Sequence, residues 1–177
     1  MEQTARDLTP AERAKKRLKA YRDLQESIDF KTERLARMAD KLQSIGSQQI
    51  TDMPRSPSGP GDRMAAAIAR KVDLEAEIRQ DIARERAEYE AIRMIAAAME
   101  KADERTVIQL RYLDGAKWDE ISEVLYQQRD DFAEKPDNYL RQTFRKHGTA
   151  LLSFAEAEER LRARKEPAGK KRPPAGR

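Results

Sequence analysis

Residues 104–154 read ERTVIQLRYLDGAKWDEISEVLYQQRDDFAEKPDNYLRQTFRKHGTALLSF. The last part of this stretch has apolar residues at helical spacing, which predicts one shared face: Leu140, Phe144, His147 and Leu151. The opposite face is predicted to carry hydrogen-bond donors: Arg141, Gln142, Arg145, Lys146 and Thr149. Residues 139–154 hold three basic side chains and no acid. An apolar back and a donor-rich front are typical of a helix that packs on a small core and lies in a DNA major groove.

Two shorter helices are predicted before this basic helix. The first, at about residues 103–113, has apolar spacing that predicts an inward face of Val107, Leu110 and either Ile108 or Leu113. The pair Asp114-Gly115 then signals a turn. The second helix, at about 118–126, is predicted to bury Trp118, Ile121 and Leu125. With the basic helix, these segments predict a helix-turn-helix domain in residues 102–165.

An acidic insertion, residues 127–138, separates the second helix from the third. We expect the third helix to begin near residue 138 with Asn138 as its N-cap, and residues 155–165 to extend it. Trp118 is interpreted as a core anchor and His147 as a helix-contact histidine, because nothing nearby in the sequence would partner the imidazole in catalysis or metal binding.

The N-terminal part of the chain predicts a long helix over residues 10–45. Thr9-Pro10 supplies an N-cap and a proline at the first helical position, and Glu12 stands at the capping-box spacing from Thr9. Gly46 is a candidate terminator. A 3-4 apolar series follows, with Lys31 as its one break: Tyr21, Leu24, Ile28, Leu35, Met38, Leu42 and Ile45. This pattern is typical of a coiled-coil seam.

A second long helix is predicted over residues 62–101, after a Pro/Gly/Ser-rich connector at residues 46–63. Its apolar stripe has Glu85 as the polar exception: Ile78, Ile82, Tyr89, Ile92, Ala96 and Met99, with Met64, Ile68 and Val72 upstream in a drifted phase. Two helices of similar length predict an antiparallel hairpin in residues 1–101. The hairpin is interpreted either as a spacer and packing platform or as a self-association surface.

Composition narrows the class of protein. The chain of 177 residues is 38% charged and 38% hydrophobic, a balance that favours solvated helices over a thick core. It has no cysteine and one histidine, which excludes disulfide scaffolds and histidine-based zinc sites. No apolar run approaches the roughly 20 residues that span a bilayer, and no secretory leader is visible. We therefore expect an all-α cytoplasmic protein: a long antiparallel helical (coiled-coil) hairpin followed by a small helix-turn-helix domain.

The net charge of +4 is unevenly distributed, because residues 160–177 hold eight basic side chains and one acid. Residues 166–177 are expected to be a disordered basic tail. Within it, Lys170, Lys171 and Arg172 form a generic polyanion contact or a solubilising terminus. Enzyme motifs such as the P-loop, GxSxG and HExxH do not occur, so the chain is not expected to be an enzyme or to hold a cofactor or metal.

The C-terminal half resembles the region-4 helix-turn-helix of sigma-70-type factors. More closely, it resembles small phage and prophage regulators of the ArpU and RinA type and a related phage family with a coiled-coil N-terminal half. The matching residues are VIQLRYLDG at 107–115, WDEI at 118–121 and FRKHGTAL at 144–151. The loop around residues 52–63 is also similar, so that the resemblance covers about residues 15–154. Two departures are Lys117, where the family usually has a serine or threonine N-cap, and the long insertion at 127–138.

This resemblance implies transcription control in a phage or an integrated element. The leading interpretation is a non-enzymatic regulator that binds double-stranded DNA in the host cytoplasm. Its third helix would read bases, while Lys117 and the tail would touch phosphates. RNA polymerase is a further candidate partner, and a homo-oligomer, with a dimer favoured, is expected. The alternatives are a DNA-packaging component similar to a small terminase subunit and a protein-binding sigma-like adaptor.

Overall fold

The computed structural model describes residues 8–46 and 60–165, and within those ranges the regular secondary structure is helical throughout, without a strand. The helices are α1 (Pro10–Gly46), α2 (Pro60–Ala97), α3 (Ala102–Ile108), α4 (Trp118–Tyr126) and α5 (Pro136–Lys165). A π-helical turn, Gln109–Leu113, continues α3. The all-α prediction is confirmed. Most of the connector predicted at 46–63 and the whole tail at 166–177 lie outside the described residues.

The chain divides into two compact units. One consists of Met1–Ala20 with Tyr89–Arg177, as far as these ranges are described, and the other of Tyr21–Glu88. The division differs from the predicted boundary after residue 101, because the first turns of α1 and the last turns of α2 belong to the unit that contains α3, α4 and α5. None of the described helices is long and apolar enough to cross a membrane.

The unit Tyr21–Glu88 is a two-helix antiparallel hairpin in which each polar break of the apolar series has a partner on the opposite helix. Lys31 Nζ lies 2.7 Å from Asp81 Oδ2 and 3.4 Å from Glu77 Oε2. The Tyr21 hydroxyl donates a 2.6 Å hydrogen bond to Glu85. The ammonium group of Lys31 holds the pKa of Asp81 below its usual value. Lys31 and Glu85 therefore act as matched polar positions in the seam.

The phase of α2 differs from the predicted stripe. Leu74 and Ile78 are buried, whereas Ile68, Val72 and Ile82 are exposed. Asp81 is buried beside Lys31. Leu74, Ile78 and Asp81 lie on the side of α2 that faces α1. Side chains on another side of the helix cannot also face α1. The prediction that Ile82 continues the buried row of Ile78 was wrong.

The ends of the long helices follow local signals in the sequence. At the start of α1, Thr9 N–H donates to Glu12 Oε2 at 2.7 Å and Glu12 N–H donates to Thr9 Oγ1 at 3.3 Å, the predicted capping box. Gly46 is the last helical residue. α5 begins at Pro136 and not at residue 138, so the prediction of Asn138 as its N-cap was wrong. Proline is favoured at a first helical position because its missing N–H has no intrahelical acceptor there.

The unit made of residues 1–20 and 89–177 contains the three helices of the predicted helix-turn-helix, α3, α4 and α5. Gly115, at φ 72°, makes the turn between the π-helical segment and α4. α4 spans the predicted range, 118–126, and α5 runs unbroken through residues 155–165. Val107, Ile108 and Ile121 are fully buried, so that Ile108 and not Leu113 takes the inward position. Arg17 Nη1 of α1 lies 2.6 Å from Glu158 of α5 in the same unit.

Candidate nucleic-acid interface

The buried face of α5 decides which of its side chains remain available to a ligand. That face is formed by Tyr139, Thr143, Ala150, Leu151, Phe154 and Ala157, all at most 8% exposed. Leu151 was predicted correctly, but Phe144 is 46% exposed and Leu140 is only partly buried. The helix is rotated from the predicted orientation, and the side chains that it buries fully include the small residues Thr143 and Ala150.

A buried carboxylate ties α3 to the middle of α5. Glu104 is 4% exposed, accepts a hydrogen bond from the Ser153 hydroxyl and lies 3.1 Å from Lys101 Nζ. Burial alone would raise the pKa of Glu104, but hydrogen bonds from Ser153 and Lys101 hold that pKa below its usual value. The carboxylate therefore stays ionised at neutral pH and holds the inner side of α5 against α3.

The front of the turn is covered by an aromatic cluster around Trp118. The Phe144 and His147 rings meet the indole edge to face, at centroid distances of 5.0 and 4.9 Å. The Arg111 guanidinium lies 4.6 Å from the indole centroid. Burial, with the charges of Lys15 and Arg111, lowers the pKa of His147 to about 4. His147 is neutral at physiological pH, in agreement with its interpretation as a helix-contact residue.

Arg141 and Arg145 are predicted DNA-binding residues of α5 that the fold leaves available. Both are exposed and stand one helical turn apart on the side of α5 opposite its buried face. Neither forms an ion pair with any residue that the structure describes. Gly148 and Leu152 continue the same outer row, and a Cβ added at Gly148 would have no neighbour within 4 Å.

Lys146 and Thr149 are held by contacts inside the unit. Lys146 Nζ forms an ion pair with Asp103 of α3 and lies 5.7 Å from the centre of the Tyr126 ring. The Thr149 hydroxyl donates a 2.9 Å hydrogen bond to the Lys146 carbonyl oxygen. Both were predicted to share the outer face with the arginines. The geometry instead places them on the flank of α5, where Lys146 links α5 to α3 and the exposed Thr149 bonds the backbone of its own helix.

Gln142 borders a pocket that the sequence did not predict. This pocket, of about 410 Å³, lies at the start of α5 and is lined by Tyr126, Arg129, Asp130, Asp131, Tyr139 and Gln142. The Tyr139 hydroxyl donates to Asp131, and the Phe132 ring lies 5.5 Å from the Tyr139 ring. Through these contacts the acidic insertion packs on α5 as part of the domain. The sequence signal that could have predicted this packing is the presence of tyrosines on both sides of an aspartate-rich segment.

Lys117 lies at the start of α4, at the end of the turn that follows α3. Its backbone N–H donates to Glu120 Oε2 at 2.8 Å, which is half of a capping box. The other half needs a side-chain acceptor, which an ammonium group cannot provide. The Lys117 side chain is exposed, but so are Asp119, Glu120 and Glu123 on the same helix. Arg111, a basic residue at this turn that is absent from the predicted set, is half-buried and donates a 2.9 Å hydrogen bond to the Ala116 carbonyl oxygen.

The remaining predicted contacts, Lys170, Lys171 and Arg172, lie outside the described residues. Among the residues that are described, no three histidine, aspartate or glutamate side chains come together as ligands for a metal ion.

Comparison with known proteins identifies no relative of this chain. No family model matches the sequence, and neither a curated protein nor a solved structure matches it. The function is therefore argued from the chain's own residues.

Proposed function

We propose that the chain is a DNA-binding transcription regulator of the phage type, in which the first half of α5 enters the major groove. Arg141 and Arg145 read bases, and Lys117 and the basic tail contact phosphates. The hairpin Tyr21–Glu88 provides self-association or contact with RNA polymerase. The regulatory role in a phage or integrated element rests on the resemblance of residues 107–151 to that class.

The observation that carries the proposal is the pair of unpartnered arginines on the outer row of α5. Residues i and i+4 are separated by about 6 Å along a helix, roughly two base-pair steps of B-DNA. Arginine is the commonest reader of guanine, whose O6 and N7 accept both prongs of a guanidinium. An arginine that had an internal carboxylate partner would have to break that ion pair first, and Arg141 and Arg145 have none in the described part of the chain.

The supporting fold delivers these side chains as a recognition helix requires. A tight turn at Gly115 leads from α3 to α4. The hydrogen bond from Ser153 to Glu104 of α3 and the burial of Thr143 and Ala150 fix the inner side of α5. A helix fixed in this way holds its outer side chains at a defined orientation, which base readout needs. Positioning by Lys146 and Asp103 adds a second link between α3 and α5.

A second candidate is a protein-binding adaptor, because large apolar side chains border the arginines. Phe144 and Leu152 on α5 are 46% and 47% exposed, and Val124 on α4 is 52% exposed. Aromatic and arginine side chains together are enriched in protein interfaces. In that function, the same face would bind a partner through Phe144 and Leu152, and removing the arginines would leave DNA affinity unchanged.

The two candidates are separated by titrating a fluorescent random-sequence duplex at several salt concentrations. The variants are Arg141→Ala/Arg145→Ala, Phe144→Ser/Leu152→Ser and a charge-matched control, Lys16→Ala/Lys19→Ala, on exposed positions of α1. A DNA-binding α5 predicts weaker binding for the arginine variant alone, because two positive charges are removed from the face that enters the groove. Equal binding by the arginine and lysine variants would contradict it.

A further inference from the structure

An exposed apolar row on α2 has no partner among the described residues of its own unit. Ile68, Val72 and Ile82 are 49%, 51% and 44% exposed. Leu74 and Ile78 already fill the side of α2 that faces α1. Branched aliphatic side chains at this exposure, aligned on one helix, are typical of an interaction surface.

Two charged residues complete the row at coiled-coil spacing. Val72, Glu75, Arg79 and Ile82 are separated by three, four and three residues, so they share one face of α2. Arg79 is exposed, and its charge helps to lower the pKa of Glu75, although the hydrogen bond from Lys71 has the larger effect. The row thus reads apolar, acidic, basic, apolar from its N-terminal to its C-terminal end.

The residues of this row are complementary to the same row running in the opposite direction. If a second copy of α2 lies antiparallel across a two-fold axis at residue 77, each residue meets the one whose number brings the sum to 154. Val72 then meets Ile82 of the second copy, and Glu75 meets Arg79 of the second copy. Each contact occurs twice. A parallel arrangement would place Glu75 against Glu75 and Arg79 against Arg79, which is repulsive.

We propose that this face of α2, residues 72–82, is the surface on which a second copy of the chain docks, in antiparallel orientation. The inference deepens the proposed function, since it rests on self-association of the hairpin and names the residues that carry it. The apolar pairs supply the contact area, and the two Glu75–Arg79 pairs set the register and the direction.

The test is sedimentation of the full-length chain with charge reversals at the paired positions. Glu75→Arg alone places two arginines against each other, and Arg79→Glu alone places two glutamates against each other. Each variant should raise the dimer dissociation constant by about tenfold or more. Mixing the two variants in equal amounts restores both opposite-charge pairs, so a heterodimer of wild-type stability should form. A folding defect could not produce that recovery.

Asp73→Arg is the matched control, since Asp73 is exposed but lies off the row. It should leave the dissociation constant within about twofold of the wild-type value, with unchanged helical circular dichroism. A wild-type chain that stays monomeric, that forms a ring of many copies, or whose single charge reversals leave the dimer intact would overturn the proposal.

The result for this dimer surface can be distinguished from the result for DNA binding by α5. A monomeric chain that still prefers particular DNA sites would overturn this surface and leave DNA binding by α5 in place. A dimer with no DNA affinity would do the reverse. Where both hold, the two-fold symmetry predicts that selected sites are inverted repeats, and that Arg79→Glu weakens binding to the repeat more than to a single half-site.

Discussion

The Tyr112 hydroxyl and His147 Nε2 lie 3.0 Å apart, within hydrogen-bonding distance, and join the π-helical turn after α3 to the middle of α5. The imidazole is also packed against Trp118. Because the surroundings disfavour the imidazolium form, protonation of His147 on the basic helix opposes folding.

Stability should therefore fall in mildly acidic solution. The pKa of His147 is about 4 in the folded chain against 6.5 when unperturbed, so the unfolded chain binds the proton more tightly. The free energy of unfolding should be constant above about pH 7 and should decrease by about 1–2 kcal/mol at pH 5. Urea titrations at both pH values check this. His147→Gln should remove the difference, since this is the only histidine of the chain; an unchanged difference would contradict it.

Glu104 should be a strongly stabilising carboxylate. Replacing Glu104 with alanine leaves the Ser153 hydroxyl without its acceptor and creates a void at the α3–α5 contact, and the expected loss is about 2–4 kcal/mol at pH 7. Glu123→Ala, on an exposed position of α4, should change stability by less than about 0.5 kcal/mol. Because the folded pKa of Glu104 is lowered, its contribution is present above about pH 4.5 and is lost as the pH falls further. Denaturant unfolding measures both variants, and similar losses would refute the assignment.

Two glycines should respond to alanine in opposite directions. Gly115 has φ 72°, a conformation that an alanine adopts only with strain, so Gly115→Ala should cost about 1 kcal/mol. Gly148 lies inside α5 with open space at its Cβ position, so Gly148→Ala should stabilise the chain by about 0.5–1 kcal/mol. Thermal unfolding of the two variants should shift in opposite directions. A loss of stability at Gly148 would mean that the glycine is needed for packing.

Arg145 and Lys146 are neighbours in sequence and should differ in their effect on DNA. On a selected site, Arg145→Ala should weaken binding by about 1–3 kcal/mol if its guanidinium reads a base. Lys146→Ala should weaken it by less than about threefold, because the Lys146 ammonium is already paired with Asp103. Fluorescence anisotropy with one duplex and the two single variants measures this. Equal losses would place both side chains on phosphates.

Patterns that depend on local signals were predicted well. The capping box at Thr9, the turn at Gly115 and the range of α4 all follow from residue types within a few positions. The start of α5 at Pro136 had such a signal too, in the proline itself, but Asn138 was preferred as a cap.

The orientation of α5 could not be derived from its apolar residues. Thr143 and Ala150 are fully buried, yet a small or hydroxyl side chain adds little to a hydrophobic pattern. Phe144 is a strong apolar signal, but it packs on the edge of Trp118 at the surface. The partner of Lys146 depends on which residues α3 brings near α5, and that is decided by tertiary packing. Arg141 and Arg145 were predicted to be exposed because they lie far from either possible buried face.

The most direct test of the account is selection of binding sites from a random duplex pool at physiological salt. Wild type is compared with Arg141→Ala/Arg145→Ala and with Lys16→Ala/Lys19→Ala, all with Lys170, Lys171 and Arg172 changed to alanine so that the tail cannot supply affinity. The account predicts that wild type and the lysine variant enrich the same short motif and that the arginine variant enriches none. Enrichment of that motif by the arginine variant, or no motif from any of the proteins, would contradict sequence readout by α5.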